Sequence, residues 1–176
     1  AAGAQLVRVP GGVLDTCADL WLMPGQEVLI ASPVIEDVLD AAGALVPARL
    51  LDTRNLPIPA AGVTTSLVVA NRGGVPADAT AVTLNVTSTG SLGGGFVTVY
   101  PCGTPRPNTS NVNFAPGSTV ANAVTTKAGA DGSVCIYSDA ATHLIVDVNG
   151  YYASTASYGA LEPVRLLDTR TAAIPG

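Results

Sequence analysis

The sequence predicts an all-β fold, a two-layer antiparallel β-sandwich of jelly-roll type, with one short N-terminal helix. Three observations carry this. From Ala44 to about Ser154 apolar residues alternate with Thr, Asn and Ser in about eight short segments, the period-two signature of half-buried strands. Gly, Pro and Asn clusters separate those segments at the short spacing of sandwiches. The 176 residues are 48% hydrophobic and only 12% charged, so the surface is covered by Thr, Ser, Asn and Gly. Little charge repels a neighbouring copy from such a surface.

Residues 1–43 form an N-terminal head of different texture, readable as a degenerate preceding repeat. Leu6-Val7-Arg8-Val9 and Glu27–Ala31 are strand candidates, and Trp21-Leu22-Met23 ends in the turn Pro24-Gly25. A helix is expected over 33–42, with Ser32 as N-cap, Pro33 at its first position and Gly43 just past its end. Val34, Ile35, Val38, Leu39 and Ala42 make its apolar stripe, and Glu36, Asp37 and Asp40 its wet side.

Residues 44–154 form the β-module. Its strands are expected at the segment beginning Pro47, then at Thr64–Ala70, Ala79–Thr89, Phe96–Tyr100, Ser110–Phe114, Val120–Thr126, Val134–Tyr137 and His143–Val148. In Ala79–Thr89, Val82, Leu84 and Val86 should face inward and Thr83, Asn85 and Thr87 outward. Asp131-Gly132 reads as a hairpin turn and Asn149-Gly150 as a strand terminator. Residues 155–176 are a small-residue linker and the first strand of a following repeat.

That last assignment rests on a repeated motif. Pro47-Ala48-Arg49-Leu50-Leu51-Asp52-Thr53-Arg54 recurs as Pro163-Val164-Arg165-Leu166-Leu167-Asp168-Thr169-Arg170, with Asp168 standing 116 residues after Asp52. Val13-Leu14-Asp15-Thr16 is a worn third copy. A period of one domain signals an array of modules. Read as a strand, the motif places Arg49, Leu51 and Thr53 on one face and Leu50, Asp52 and Arg54 on the other, so that Asp52 and Arg54 can pair. A motif recurring at each module boundary marks a joint, formed here by Arg49–Arg54 and Arg165–Arg170.

Together with Gly74–Ala79, Val82–Thr87, Phe96–Gly103, Ser110–Phe114 and His143–Tyr152, the motif resembles the tandem "RLLDTR" β-modules of secreted, cell-wall-associated proteins of actinobacteria and similar bacteria. The resemblance covers about residues 46–153 and the restart at 163–176. It implies secretion, a surface location and no catalytic residues.

The residues themselves offer little chemistry. His143 is the single histidine, and a Ser-His-Asp arrangement would need Ser138 with Asp139 or Asp147 around it, without a nucleophile elbow. No enzyme activity is expected. No cofactor is expected either; a structural calcium is the one ion whose oxygen donors, in Asp131-Gly132 and Asp147-Val148-Asn149-Gly150, stand in turns, although Asp and Asn are ordinary turn residues. Asn85-Val86-Thr87 and Asn108-Thr109-Ser110 match the glycosylation sequon. Lys127, the sole lysine, invites an amide bond to an asparagine, and Tyr100, Tyr137, Tyr151 and Tyr152 a sugar platform.

Of the three cysteines, Cys102 and Cys135 follow or lie in strands and are the natural pair, which implies an oxidising compartment. Cys17 is left as a buried thiol or a bond to another chain. A formal charge of −5 with one lysine and seven arginines excludes a basic nucleic-acid surface, and no apolar run approaches the length of a membrane span. Ala1-Ala2-Gly3-Ala4 reads as the start of a processed product. The expected function is a structural subunit of an extracellular filament or surface array, joined head-to-tail to identical copies or adjacent repeats by strand addition. The alternative is an adhesion module for cell-wall glycan or other carbohydrate.

Overall fold

A computed structural model describes residues 42–156 and 158–170. Eight strands follow in order: β1 Ala42–Asp52, β2 Thr64–Val68, β3 Ala81–Thr89, β4 Gly95–Pro101, β5 Val112–Phe114, β6 Val120–Lys127, β7 Ser133–Ser138 and β8 His143–Tyr152. They make two four-stranded antiparallel sheets, ordered β1-β8-β3-β6 and β2-β7-β4-β5. The fold is all-β among the described residues.

The alternation in the sequence decides which face is inward. In β3, Val82, Leu84 and Val86 are fully buried while Thr83, Asn85 and Thr87 are half-buried. Leu144, Val146 and Val148 of β8 join them from the first sheet. Leu67, Val97, Val99, Val112, Val134 and Ile136 come from the second, and all belong to one apolar core. Fully burying each such side chain stabilises the fold by about 1.5–3 kcal/mol. Cys102 and Cys135 are bonded, with 4.9 Å between their Cα atoms. Their 33-residue separation is worth about 3–4 kcal/mol in the chain-entropy model.

Two local expectations are corrected, and a third lies almost wholly outside the described residues. That third is the helix over 33–42, of which only Ala42 is described; Ala42 opens β1, and Gly43, expected to stop the helix, pairs with Tyr151 in the sheet. Asn149-Gly150 does not end β8. Gly150 pairs with Ala44 and Thr83, and both neighbouring registers shift at Asn149, so the dipeptide makes a bulge and the strand continues to Tyr152. A Cβ on Gly150 would come within 2.9 Å of the Gly43 carbonyl oxygen, so this close approach of β1 needs glycine.

Finally, Asp131-Gly132 is a turn but not the tip of a hairpin, because β6 and β7 belong to different sheets. The Asp131 carboxylate accepts the Ser133 backbone N–H at 3.1 Å and its hydroxyl at 2.6 Å, and Gly132 sits at φ +71°. Those contacts fix the turn. Which strands pair is decided by the core beyond it. Cys17 and the copy at 13–16 lie outside the described residues.

Candidate functional site

The first copy of the repeated motif closes β1 onto β8, and each of its residues has a distinct task. Arg49 stands opposite Asp147 and binds its carboxylate twice, Nε to Oδ1 at 2.8 Å and Nη2 to Oδ2 at 3.1 Å. This fork-to-fork geometry is the most directional an ion pair offers. Leu50 enters the core, and Leu51 packs against it. The Asp52 carboxylate accepts the Arg54 backbone N–H at 3.1 Å, its Nε at 2.9 Å and its Nη2 at 2.6 Å, and Arg49 Nη1 at 3.3 Å. These donors, Arg54 first, hold the Asp52 carboxyl well below the ordinary carboxylate range.

Thr53 is buried. Its N–H donates to the Leu144 carbonyl at 3.0 Å, and its hydroxyl oxygen accepts the Leu144 N–H at 2.9 Å. The same hydroxyl lies 3.2 Å from His143 Nδ1. His143 therefore faces a threonine of the motif.

A simple alternating strand would put Arg49 and Asp52 on opposite faces. The register passes from Arg49↔Asp147 directly to Leu51↔Val146, so Leu50 is the extra residue of a bulge that rephases the strand and lets Asp52 meet both arginines. The Leu50 carbonyl accepts Arg72 Nη2 at 2.7 Å. Arg72, placed by the turn in which Asn71 and Gly73 have positive φ, also donates Nη1 to the Val68 carbonyl at 3.0 Å. Arg72 was not singled out in the sequence. Nothing local marks it, since its target lies 22 residues earlier.

The second copy keeps the acid–base part of this arrangement without a sheet. Asp168 accepts the Arg170 backbone N–H at 3.1 Å, its Nε at 2.9 Å and its Nη2 at 2.7 Å, and Arg165 Nη1 at 2.9 Å. Its carboxyl is likewise held well below the usual range, by Arg170 first. Yet residues 163–170 form no strand among the described residues. Leu166 is 92% exposed, Val164 68% and Leu167 55%.

The four sheet edges differ. β1 is broken by two register shifts and contains Pro47, β2 and β5 are five and three residues long, and β6 runs eight residues in unbroken register with β3. β6 carries no proline and a single charge, Lys127. It is the least defended edge among the described strands.

The other candidate groups are engaged elsewhere. Ser138 Oγ donates to the Ala140 carbonyl and Asp147 holds Arg49, while the hydrogen-bond partner of His143 Nδ1 is Thr53. The oxygen donors proposed for calcium are separated, with Asp131 binding Ser133 and Asp147 binding Arg49. Among the described residues no three His, Cys, Asp or Glu side chains converge, and no helix is long and apolar enough to cross a membrane. The tyrosines are dispersed: Tyr100 is buried, Tyr137 lies under Arg106 at 4.1 Å, and Tyr152 stacks on Tyr158 at 4.1 Å. Lys127 instead shares with Glu162 the rim of an open cleft of about 430 Å³ beside Cys102.

No protein-family model matches the chain, and neither a curated protein nor a solved structure matches it.

Proposed function

We propose that the chain is a non-enzymatic structural module of an extracellular bacterial filament or surface array, joined end to end by β-strand addition. The observation that carries this reading is the exposed second copy of a motif whose first copy is a sheet strand. A segment with Val164, Leu166 and Leu167 in water loses a large apolar penalty once another strand or sheet covers it. A donor segment and an acceptor edge on different parts of one module give a head-to-tail contact, which propagates when the rotation does not close.

Two further features support the setting. The strand orders β1-β8-β3-β6 and β2-β7-β4-β5 are those of a two-layer jelly-roll sandwich, an architecture suited to rigid surface modules. The Cys102–Cys135 bond fits secretion to an oxidising compartment, as does the resemblance to the "RLLDTR" modules.

Sedimentation over a concentration series tests the reading. The 176-residue chain is expected to form a ladder of multimers, and the variant lacking 160–176 to remain monomeric with an unchanged circular dichroism spectrum. Polymerisation of the truncated protein would end the proposal. A second reading, a glycan-binding module, draws on the cleft at Lys127 and Glu162; retention on purified cell wall by the chain, lost in Lys127→Ala, would favour it.

A further inference from the structure

From this reading of the chain as a self-associating module, we infer that the acceptor is the outer edge of β6, and that the strand laid on it is Val164–Asp168 of a second copy. The inference rests on the proposed end-to-end association and names its site.

The donor side is defined by what the segment exposes. Laid out as a strand, the segment would put Val164 and Leu166 on one face and Arg165 and Leu167 on the other; Val164, Leu166 and Leu167 are each more than half exposed, while Arg165 leans on Asp168. It already carries its acid–base turn at Asp168–Arg170, so its end is shaped before it docks.

The acceptor side follows from hydrogen-bond parity. The Ala128 N–H donates to the Thr80 carbonyl at 2.9 Å, which points Ala128 toward β3. The register is unbroken from Ala81↔Lys127 to Ser88↔Val120. Backbone groups alternate direction along a strand, so Val120, Asn122, Val124 and Thr126 also face β3. Ala121, Ala123 and Thr125 then turn their N–H and C=O groups to the outer edge, as does Lys127, whose carbonyl also accepts the Thr126 hydroxyl at 3.3 Å; the four positions can hydrogen-bond a strand of five. Their side chains are small apart from Lys127 and offer no steric bar. β1, by contrast, is bulged, contains Pro47 and has its Leu50 carbonyl covered by Arg72.

Among the described residues β6 does not take up the chain's own segment. Glu162 lies at the cleft that Lys127 also lines, so the tail passes the end of β6, yet 163–170 forms no strand among the described residues. The exposed segment 164–167 and the outer edge of β6 stand in one chain without forming a sheet among the described residues, the condition for a heterologous contact between two.

Ala123→Pro tests this directly. It removes one edge N–H and leaves every bond to β3, a position where proline is tolerated. Self-association of the 176-residue chain should weaken by about tenfold or more, while the thermal transition stays cooperative. The double variant Ala123→Lys/Thr125→Lys, which protects the edge by charge, should act alike should the proline variant unfold. Hydrogen exchange gives the positive evidence: amides of Ala121, Ala123 and Thr125 should slow together with those of 164–168 as concentration rises. Tail amides that slow while the β6 amides stay fast would overturn the inference and leave end-to-end association standing. Slowing that is independent of concentration would mean docking on the chain's own edge and would overturn it too. A chain monomeric at every concentration would remove both.

Discussion

Seven of eight residues are identical between 47–54 and 163–170, yet one copy is a sheet strand and the other is not. What they share is the turn. Asp52 and Asp168 each accept a backbone N–H at 3.1 Å and an arginine Nε at 2.9 Å from the residue two positions on. Those bonds need only contiguous chain, so the sequence alone makes them. What they do not share is everything supplied from far away: the Asp147 carboxylate for Arg49, the Leu144 N–H for Thr53, the core for Leu50 and Arg72 for the bulge. The Arg165–Asp168 bond is 2.9 Å where Arg49–Asp52 is 3.3 Å, as expected of an arginine with no Asp147 drawing it across the sheet. The motif is thus a local turn carrying a strand that needs a host.

The largest way to break this comparison is at the leucines. Leu50→Ala removes a buried side chain and should lower the unfolding free energy by about 2–4 kcal/mol. Leu166→Ala, at a side chain 92% exposed, should leave the monomer's stability within about 0.5 kcal/mol while weakening self-association. Chemical denaturation at low concentration and sedimentation at high concentration measure the two effects separately. Equal losses of monomer stability would show that the second copy is buried within its own chain.

The threonines sharpen the contrast at a smaller scale. Thr53→Val keeps the shape but removes the acceptor of the buried Leu144 N–H. With Leu144 itself only 1% exposed, the expected cost is about 1–3 kcal/mol, with faster exchange of the Leu144 amide. Thr169→Val, at an exposed position, should cost the monomer nothing measurable.

The same division separates what was legible in the sequence from what was not. Alternation through Val82, Leu84 and Val86 located β3 and its buried face, and the placement of Cys102 and Cys135 beside strands found their bond. The first is a period-two signal, and the second is legible across 33 residues because a cysteine bonds only to another cysteine and the chain has three. Strand partners are not so legible: the Asp131-Gly132 turn looked like a hairpin because its local chemistry is that of one, but β7 pairs with β2 and β4, which lie far from that turn in the sequence. Asn149-Gly150 looked like a stop for the same reason, and a neighbouring backbone turned it into a bulge. Within the site, the pairing of Asp52 with Arg54 was legible at two residues' distance. Arg49 with Asp147, 98 residues apart, and Arg72 with Leu50 were not.

The finest test asks whether the turn really is autonomous, and pH provides it. Both Asp52 and Asp168 are held well below the ordinary carboxylate value of 3.8, in each case chiefly by side-chain and backbone hydrogen bonds from the following arginine. A carboxyl whose value is depressed in the folded form contributes stability that is complete above its unfolded value. That contribution declines as pH falls below about 4 and is gone once the depressed value is passed. Carboxyl carbon shifts followed by NMR should therefore show both residues still ionised near pH 3, where an unpaired aspartate is mostly protonated. Unfolding the sheet with denaturant should return Asp52 toward the ordinary range only to the extent that Arg49 and the β1 backbone held it. Asp168 stands in no strand among the described residues and should change less. A return of Asp168 to the ordinary range while the module is still folded would mean that its turn does not form on its own. The second copy would then need its host for the turn as well as for the strand.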